Sequence, residues 1–257
     1  MQKGICLLNI VPLRAQPTSS SEMVTQLLFG ETYDIIESKG DWVKISTTSE
    51  NYEAWINSNQ VSPWNEAFGD MLLLRNFPFI TATNQLNNNL IYLLPGSILH
   101  NFKFSEQIST FEVNHNVFEI KINQQEIVSL PFSEIGNYSN LFLSAPYLWG
   151  GRSMLGIDCS GFTQLLYKVV GVQLPRDAYQ QAELGELIDF VNESKMGDLA
   201  FFENESGKIT HVGMILGQGE IIHSSGMVKR DVIDSYGIFN ENSGKHTHKL
   251  RFIKRYI

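Results

Sequence analysis

Cysteine is scarce in this chain: two thiols, Cys6 and Cys159, in 257 residues. One pair so far apart makes a poor disulfide framework, which excludes the small cross-linked secreted folds and leaves each thiol to be explained separately. Basic residues are outnumbered, 19 against 27 acidic, for a net charge of −8. Such a surface repels phosphate backbones, so no nucleic-acid partner is expected. No apolar run approaches the roughly 18 residues of a membrane-spanning helix, so no membrane partner is expected either. The opening stretch MQKGICLLNIVPLRAQP has an apolar run broken by Asn9 and Pro12. It lacks the longer apolar core and small-residue cleavage site of a secretory signal, reads as a first strand, and points to the cytoplasm.

What is present is ordinary globular material, 43% hydrophobic and 18% charged, with ample apolar residue for a core. Cys6 lies in a strand-like apolar run, where a buried, inert thiol is the plain expectation. Through residue 62 the chain alternates apolar and polar residues (Tyr33, Ile35; Val43, Ile45; Trp55, Ile56), broken at Gly30, at Lys39-Gly40 and from Ser46 to Asn51. Short strands at close spacing suggest a small β-barrel. The stretches LLLRNFPFITA, NLIYLLPGSILHNF, STFEVNHNVFEIKI and EIVSLPF continue the β pattern, consistent with a second barrel. From Pro131 the character changes to helix first and antiparallel strands after, an α+β pattern. The expected domains are 1–62, 63–130 and 131–257.

The third region carries the candidate chemistry. In GIDCSGFTQLLYKVVG, apolar residues at 162, 165, 166 and 169 mark one face of a helix, and Gly171 is placed to end it. Cys159 falls at that helix's start, where free N–H groups and the macrodipole favour thiolate over thiol. A lowered pKa would make it a nucleophile. The plainer alternative keeps Asp158 or Ser160 as a helix cap and Cys159 as a small buried hydrophobe.

A base for the thiol would come from six histidines. His100 and His115 have bland contexts, and His246 and His248 sit in SGKHTHK, which reads as a solvated turn. His211 and His223 bracket HVGMILGQGEIIHSSG, a hairpin in which Gly213 leaves room beside His211. An odd loop, or a bulge, would put both on one face as diagonal neighbours about 7–8 Å apart; a two-residue loop without a bulge would separate them. Together they would supply a base and the group that orients it. Each histidine alone has a structural reading, and a Cys/His zinc site is a third alternative, disfavoured because no close ligand pair occurs.

The motifs YLWGG (147–151), GIDCSGF (156–162), LPRDAYQQ (174–181), GDLAFF (197–202), HVGMILG (211–217) and IIHSSG (221–226) resemble, in order, the NlpC/p60 family of cysteine peptidases. The resemblance spans about 120 residues, with 52 from Cys159 to His211 and 12 more to His223. It implies a papain-like domain, no metal or cofactor, Cys159 as nucleophile, His211 as general base and His223 as its orienting partner. SEMVTQLLFGE, GDWVKI and NYEAWI resemble the bacterial SH3-like domains of cytosolic γ-D-glutamyl-L-diamino acid endopeptidases. By that resemblance Tyr52 and Glu22 help select a substrate with a free N-terminal L-alanine. Asp158 pairs with its ammonium and Arg176 with a substrate carboxylate. Tyr147 and Trp149 line the cleft, Tyr147 near the oxyanion. Ala178 departs from the serine found in some members. The implied partner is a muropeptide, cut by a monomer. The rivals are a secreted hydrolase of intact wall and an inert wall-peptide-binding module.

Overall fold

A computed structural model describes residues 2–65, 69–75 and 78–257, with the backbone alone at 125 and 126. The chain divides into two compact units, Met1–Leu130 and Pro131–Ile257.

The first unit begins with β1 (Lys3–Ile5), β2 (Ile10–Arg14), β3 (Met23–Leu28), β4 (Thr32–Lys39), β5 (Trp42–Thr47), β6 (Glu53–Asn57) and β7 (Ser62–Trp64). These form one antiparallel sheet in the order β3-β2-β6-β5-β4-β1-β7. Alternation does what period-two sequence dictates: on β5, Val43, Ile45 and Thr47 are buried while their neighbours are partly exposed. Cys6, Val11, Leu13, Leu27, Tyr33, Val43, Ile45, Ala54 and Ile56 make one core.

The unit continues with β8 (Met71–Leu73), β9 (Ile80–Asn84), β10 (Leu90–Leu93), β11 (Ile98–His100), β12 (Ser109–Val113) and β13 (Asn116–Ile120). They form a sheet ordered β10-β9-β13-β12 and a β11-β8 pair. Their core is not self-contained, because Ile5 and Trp64 of the first sheet and Phe29 of the turn after β3 join it. Phe111 and Phe118 stack at 4.9 Å, and Phe29 meets both edge-on at 5.8 and 5.9 Å. Gly30, with φ +79°, lets that turn approach; a Cβ there would lie 1.8 Å from the Ile98 carbonyl oxygen. A boundary after residue 62 therefore cuts through β7, whose Trp64 is buried in the shared core. In EIVSLPF the structure has no strand; α1 (Gln124–Ile127) is a helical turn, as its Gln-Gln-Glu start favours.

The second unit contains α2 (Ile135–Ser139), β14 (Arg152–Ser153), β15 (Gly156–Ile157), α3 (Cys159–Val169) and α4 (Ala178–Gln181). Then follow β16 (Glu186–Ile188), β17 (Leu199–Glu203), β18 (Ile209–Gly217), β19 (Glu220–Ser225), β20 (Met227–Ile233), β21 (Gly237–Asn240) and β22 (Lys245–Arg255). The sheet runs β16-β22-β17-β18-β19-β20-β21, and β21 also pairs with β22, so pairing closes on itself. Ala200, Phe202, Ile215, Ile221, Ile233, Ile238 and Ile253 form a core on one face. Helix precedes sheet as the pattern suggested, but only α3 exceeds five residues, so strands dominate. No described helix is long and apolar enough to cross a membrane.

Candidate active site

The start of α3 is fixed by a buried ion pair. Asp158 caps the helix, its Oδ1 accepting the Gly161 N–H at 2.7 Å, while Oδ2 accepts the Gly150 N–H at 2.8 Å. Arg176 donates to both oxygens, at 3.0 and 2.6 Å, and to the Ser160 hydroxyl at 2.9 Å. Gln181, in the same LPRDAYQQ motif, donates to the Ser160 carbonyl at 3.0 Å and accepts the Thr163 hydroxyl at 2.8 Å. The far end of α3 closes on Gly171, φ +87°: its N–H reaches the Lys168 carbonyl at 3.0 Å and the Val172 N–H reaches that of Tyr167 at 2.9 Å.

This changes the expected division of labour between Asp158 and Arg176. They were assigned to the substrate's ammonium and carboxylate; in the structure they are partners of each other. The Asp158 oxygens already accept four close N–H bonds, about the capacity of a carboxylate, and Arg176 is 1% exposed. Their evident work is to hold the first turn of α3, and with it Cys159.

Cys159 is 6% exposed, and the backbone N–H groups of Val212 and Ser160 reach its sulfur. Val212 is on β18, next to His211. The thiol does not behave as a helix N-terminus alone would dictate. Burial first, and the Asp158 charge second, push its pKa up to about 12 against the pull of those N–H groups and of Arg176. The resting sulfur is a neutral thiol.

The hairpin answers the question of register. Gln218 and Gly219 form a two-residue turn with φ +53° and +78°, between Gly217 and Glu220. A bulge between Ile215 and Gly217 then shifts the ladder so that Met214 faces Ile222. His211 and His223 consequently share a face, and His211 Nε2 lies 2.8 Å from His223 Nδ1. Gly213 makes this possible, since a Cβ there would come within 2.8 Å of the His223 Cβ. Burial, then His223, His248 and Lys229, hold His211 well below the ordinary histidine range. Burial lowers His223 too, although the Asp231 carboxylate pulls the other way. Both imidazoles are neutral near pH 7.

Two neighbours of this pair were missed in the sequence. Asp231, on β20, accepts from His223 Nε2 at 3.0 Å and from Lys229 Nζ at 2.8 Å. Only the pairing of β19 with β20 (Ile221 opposite Asp231, His223 opposite Lys229) brings it there; an alternation of Lys229, Asp231 and Ile233 after the turn at Gly226 was the available signal. His248 is not in a solvated turn. It lies on β22 with its ring 4.2 Å from that of His211, tilted 30°, and its Nδ1 is 2.9 Å from the Thr247 hydroxyl.

Tyr147 is half-buried in the loop before β14, its N–H bonded to the Gly226 carbonyl at 3.0 Å. Burial, then the Cys159 and Asp158 charges, raise its phenol to about 12, so it is a donor. Trp149 is 58% exposed. Tyr52 and Glu22 belong to the first unit. Tyr52 lies in the β5–β6 turn, packed on that unit's core, and Glu22 is exposed just before β3. The second unit thus holds a buried thiol linked to the N–H of Val212, the residue after His211, an oriented neutral imidazole at His211, a phenol and helix N–H groups: the parts needed for acyl transfer through sulfur.

Comparison with known proteins agrees with this chemistry. Residues 144–248 match the NlpC/P60 family and residues 13–61 a bacterial dipeptidyl-peptidase SH3 domain. A gamma-D-glutamyl-L-lysine dipeptidyl-peptidase of Bacillus cereus is 30% identical over 80% of this chain and 68% of its own length. The protein of the same name in Bacillus subtilis is 31% identical over 86% and 74%. The crystal structure of an NlpC/P60 family protein from Bacillus cereus superposes with a TM-score of 0.84 over 99% of both chains at 21% identity, so the fold is shared.

Proposed function

The chain belongs to the NlpC/P60 family of cysteine peptidases, and from that premise we propose that it hydrolyses the γ-D-glutamyl–diamino acid bond of short peptidoglycan-derived peptides bearing a free N-terminal L-alanine. The observation that carries the reading is the buried set Cys159, His211 and His223, in a chain similar over most of its length to gamma-D-glutamyl-L-lysine dipeptidyl-peptidases. In the same reading Met1–Leu130 holds two SH3-like barrels and Pro131–Ile257 a papain-like core. The setting is cytoplasmic turnover of released peptides.

The order of proton movements follows from the two perturbed groups. With the thiol raised and His211 depressed, no thiolate–imidazolium pair stands ready. Proton transfer from Sγ to His211 Nδ1 therefore accompanies attack of the sulfur on the γ-glutamyl carbonyl carbon. The oxyanion is held by the Cys159 N–H at the start of α3 and by the Tyr147 hydroxyl. His211 returns the proton to the departing amine as the C–N bond breaks. Water, deprotonated by the same imidazole, then attacks the thioester; the C–S bond breaks, the acid is released and the imidazolium returns its proton to the Cys159 sulfur. Selection of the amine is electrostatic: the Asp158 charge, which bears on both Cys159 and Tyr147, favours an ammonium in this pocket.

The test is cleavage of L-Ala-γ-D-Glu-L-Lys and its diaminopimelate counterpart, each free and N-acetylated, with Cys159→Ala as the control. Both free peptides should release L-Ala-γ-D-Glu and the acetylated ones should be poor substrates. Equal cutting of acetylated and free forms would refute amine selection. Efficient digestion of whole sacculi would favour a wall hydrolase instead.

A further inference from the structure

We infer that Asp231 is a positioning residue of the catalytic machinery, deciding through His223 which nitrogen of His211 is free to act as a base, and that Lys229 keeps Asp231 ionised for the purpose. The inference rests on Cys159 and His211 being nucleophile and base.

It follows from counting protons along one line of contacts. A neutral imidazole has one N–H and one lone pair. The Asp231 carboxylate can only accept, so the 3.0 Å contact requires the His223 proton on Nε2. His223 Nδ1 is then a lone pair, and the 2.8 Å contact requires the His211 proton on Nε2. The remaining lone pair of His211 is on Nδ1, the nitrogen left for the thiol. Remove the carboxylate and the opposite arrangement satisfies the central contact equally well. His223 then holds its proton on Nδ1 and donates it to His211 Nε2, and His211 carries its own proton on Nδ1, where no base remains. Asp231 breaks that degeneracy from two rings away.

Position and surroundings suit the role. His211, His223 and Asp231 run diagonally across β18, β19 and β20 on the face that also carries Ile215, Ile221 and Ile233. The His223 side chain is fully buried and that of Asp231 is 10% exposed, so water is a weak competitor for these bonds. Lys229, directly opposite His223 in the ladder, donates to the same Asp231 oxygen at 2.8 Å. Among the described residues, the charged and titratable groups around the pair are Asp231 and Lys229 from β20 and His248 from β22, with the proposal's nucleophile Cys159 at the start of α3. Burial opposes the Asp231 charge, and the His223 and Lys229 bonds overcome it, so the carboxyl is held below its ordinary range. When His211 takes the thiol proton, the new cation has the Asp231 carboxylate as its counter-charge through His223.

Imidazole ¹⁵N NMR of the full chain, at a pH where both rings are neutral, tests this without a substrate. In the wild type His211 and His223 should each be protonated on Nε2, and Asp231→Asn, whose amide can donate, should move both protons to Nδ1. In kinetics Asp231→Asn should lower kcat about 100-fold or more with KM little changed, by analogy with the roughly 10⁴-fold cost of the Asp→Asn change directly behind a base histidine. Asp231→Glu should recover most of the loss. Lys229→Met should raise the pH at which the histidine pair takes up a proton. Wild-type His223 protonated on Nδ1, or unchanged tautomers in Asp231→Asn, would overturn the proposal, as would kcat within threefold of wild type. If the wild type fails to cut the proposed peptides, the peptide assignment falls and the NMR result still decides the role of Asp231.

Discussion

Cys6 in Met1–Leu130 and Cys159 in Pro131–Ile257 are 1% and 6% exposed, and burial as the first cause pushes each thiol up to about 12. Cys6 donates to the Leu8 carbonyl oxygen at 3.3 Å and is otherwise packed among apolar side chains. Cys159 instead has the N–H groups of Ser160 and Val212 lowering its pKa, and Val212 follows the oriented imidazole of His211 on β18. The same contrast runs through the units. Buried polar groups of the first tie turns together, as His100 does with the Gly30 carbonyl at 2.7 Å and Glu31 with the Leu28 N–H at 2.9 Å. In the second, Asp158, Ser160, Arg176 and Gln181 instead fix the start of the helix that carries one thiol. A reactive cysteine here is distinguished by its proton acceptor and not by an already lowered pKa.

The largest effect should come from setting one thiol against the other. Cys159→Ala should reduce peptide hydrolysis by about four orders of magnitude or more, as loss of a covalent nucleophile does. Cys6→Ala should leave kcat/KM within about threefold of wild type, because transition-state stabilisation does not involve it. Comparable losses in the two variants, measured with the tripeptide, would break the contrast between the units.

Next in size is the contrast between buried charges. Arg176→Met strips Asp158 of its counter-charge, and uncompensated burial of a charge costs about 3–5 kcal/mol. Melting of the second unit should fall by roughly 10 °C or more on the usual conversion. The double variant Arg176→Met with Asp158→Asn should recover part of the loss, since it removes the stranded charge. In the first unit Glu31→Gln keeps an oxygen for the Leu28 N–H and should cost under about 1.5 kcal/mol. Calorimetry of the four proteins decides it; a double variant no better than Arg176→Met would mean the pair is not held by charge.

What could be read in the sequence was local. The apolar spacing of 162, 165, 166 and 169 and the placement of Gly171 defined α3, because a helix is set by neighbours three or four residues away. The His211–His223 pairing was legible up to a choice of register, and the bulge after Ile215 made the choice. What escaped depends on pairing between distant segments. Asp158 and Arg176 are 18 residues apart and each looked available for substrate until the fold joined them. His248 looked solvated in SGKHTHK because its ring partner lies 37 residues earlier on another strand. The thiol's raised pKa was invisible for a related reason: the helix start could be read, but the burial that outweighs it could not.

The smallest predicted effect isolates the part of that burial due to His248. Burial is the first cause lowering His211 and the charges of His223, His248 and Lys229 come after it, while His248 itself is brought down to about 4. Depressed histidines give stability that is complete above their unfolded pKa, about 6.5, and is lost as pH falls from there toward the folded values, because the unfolded chain takes up the protons first. The acid limb of kcat/KM reports the same protonation of His211. His248→Phe keeps a ring over His211 but removes a competing cation, so that limb should move to higher pH by less than one unit. His248→Ala removes both and lets water reach His211, so the limb should move further, with activity at pH 7.5 falling less than about tenfold in either case. A larger shift in the Phe variant than in the Ala variant would mean that charge, not burial, sets the base.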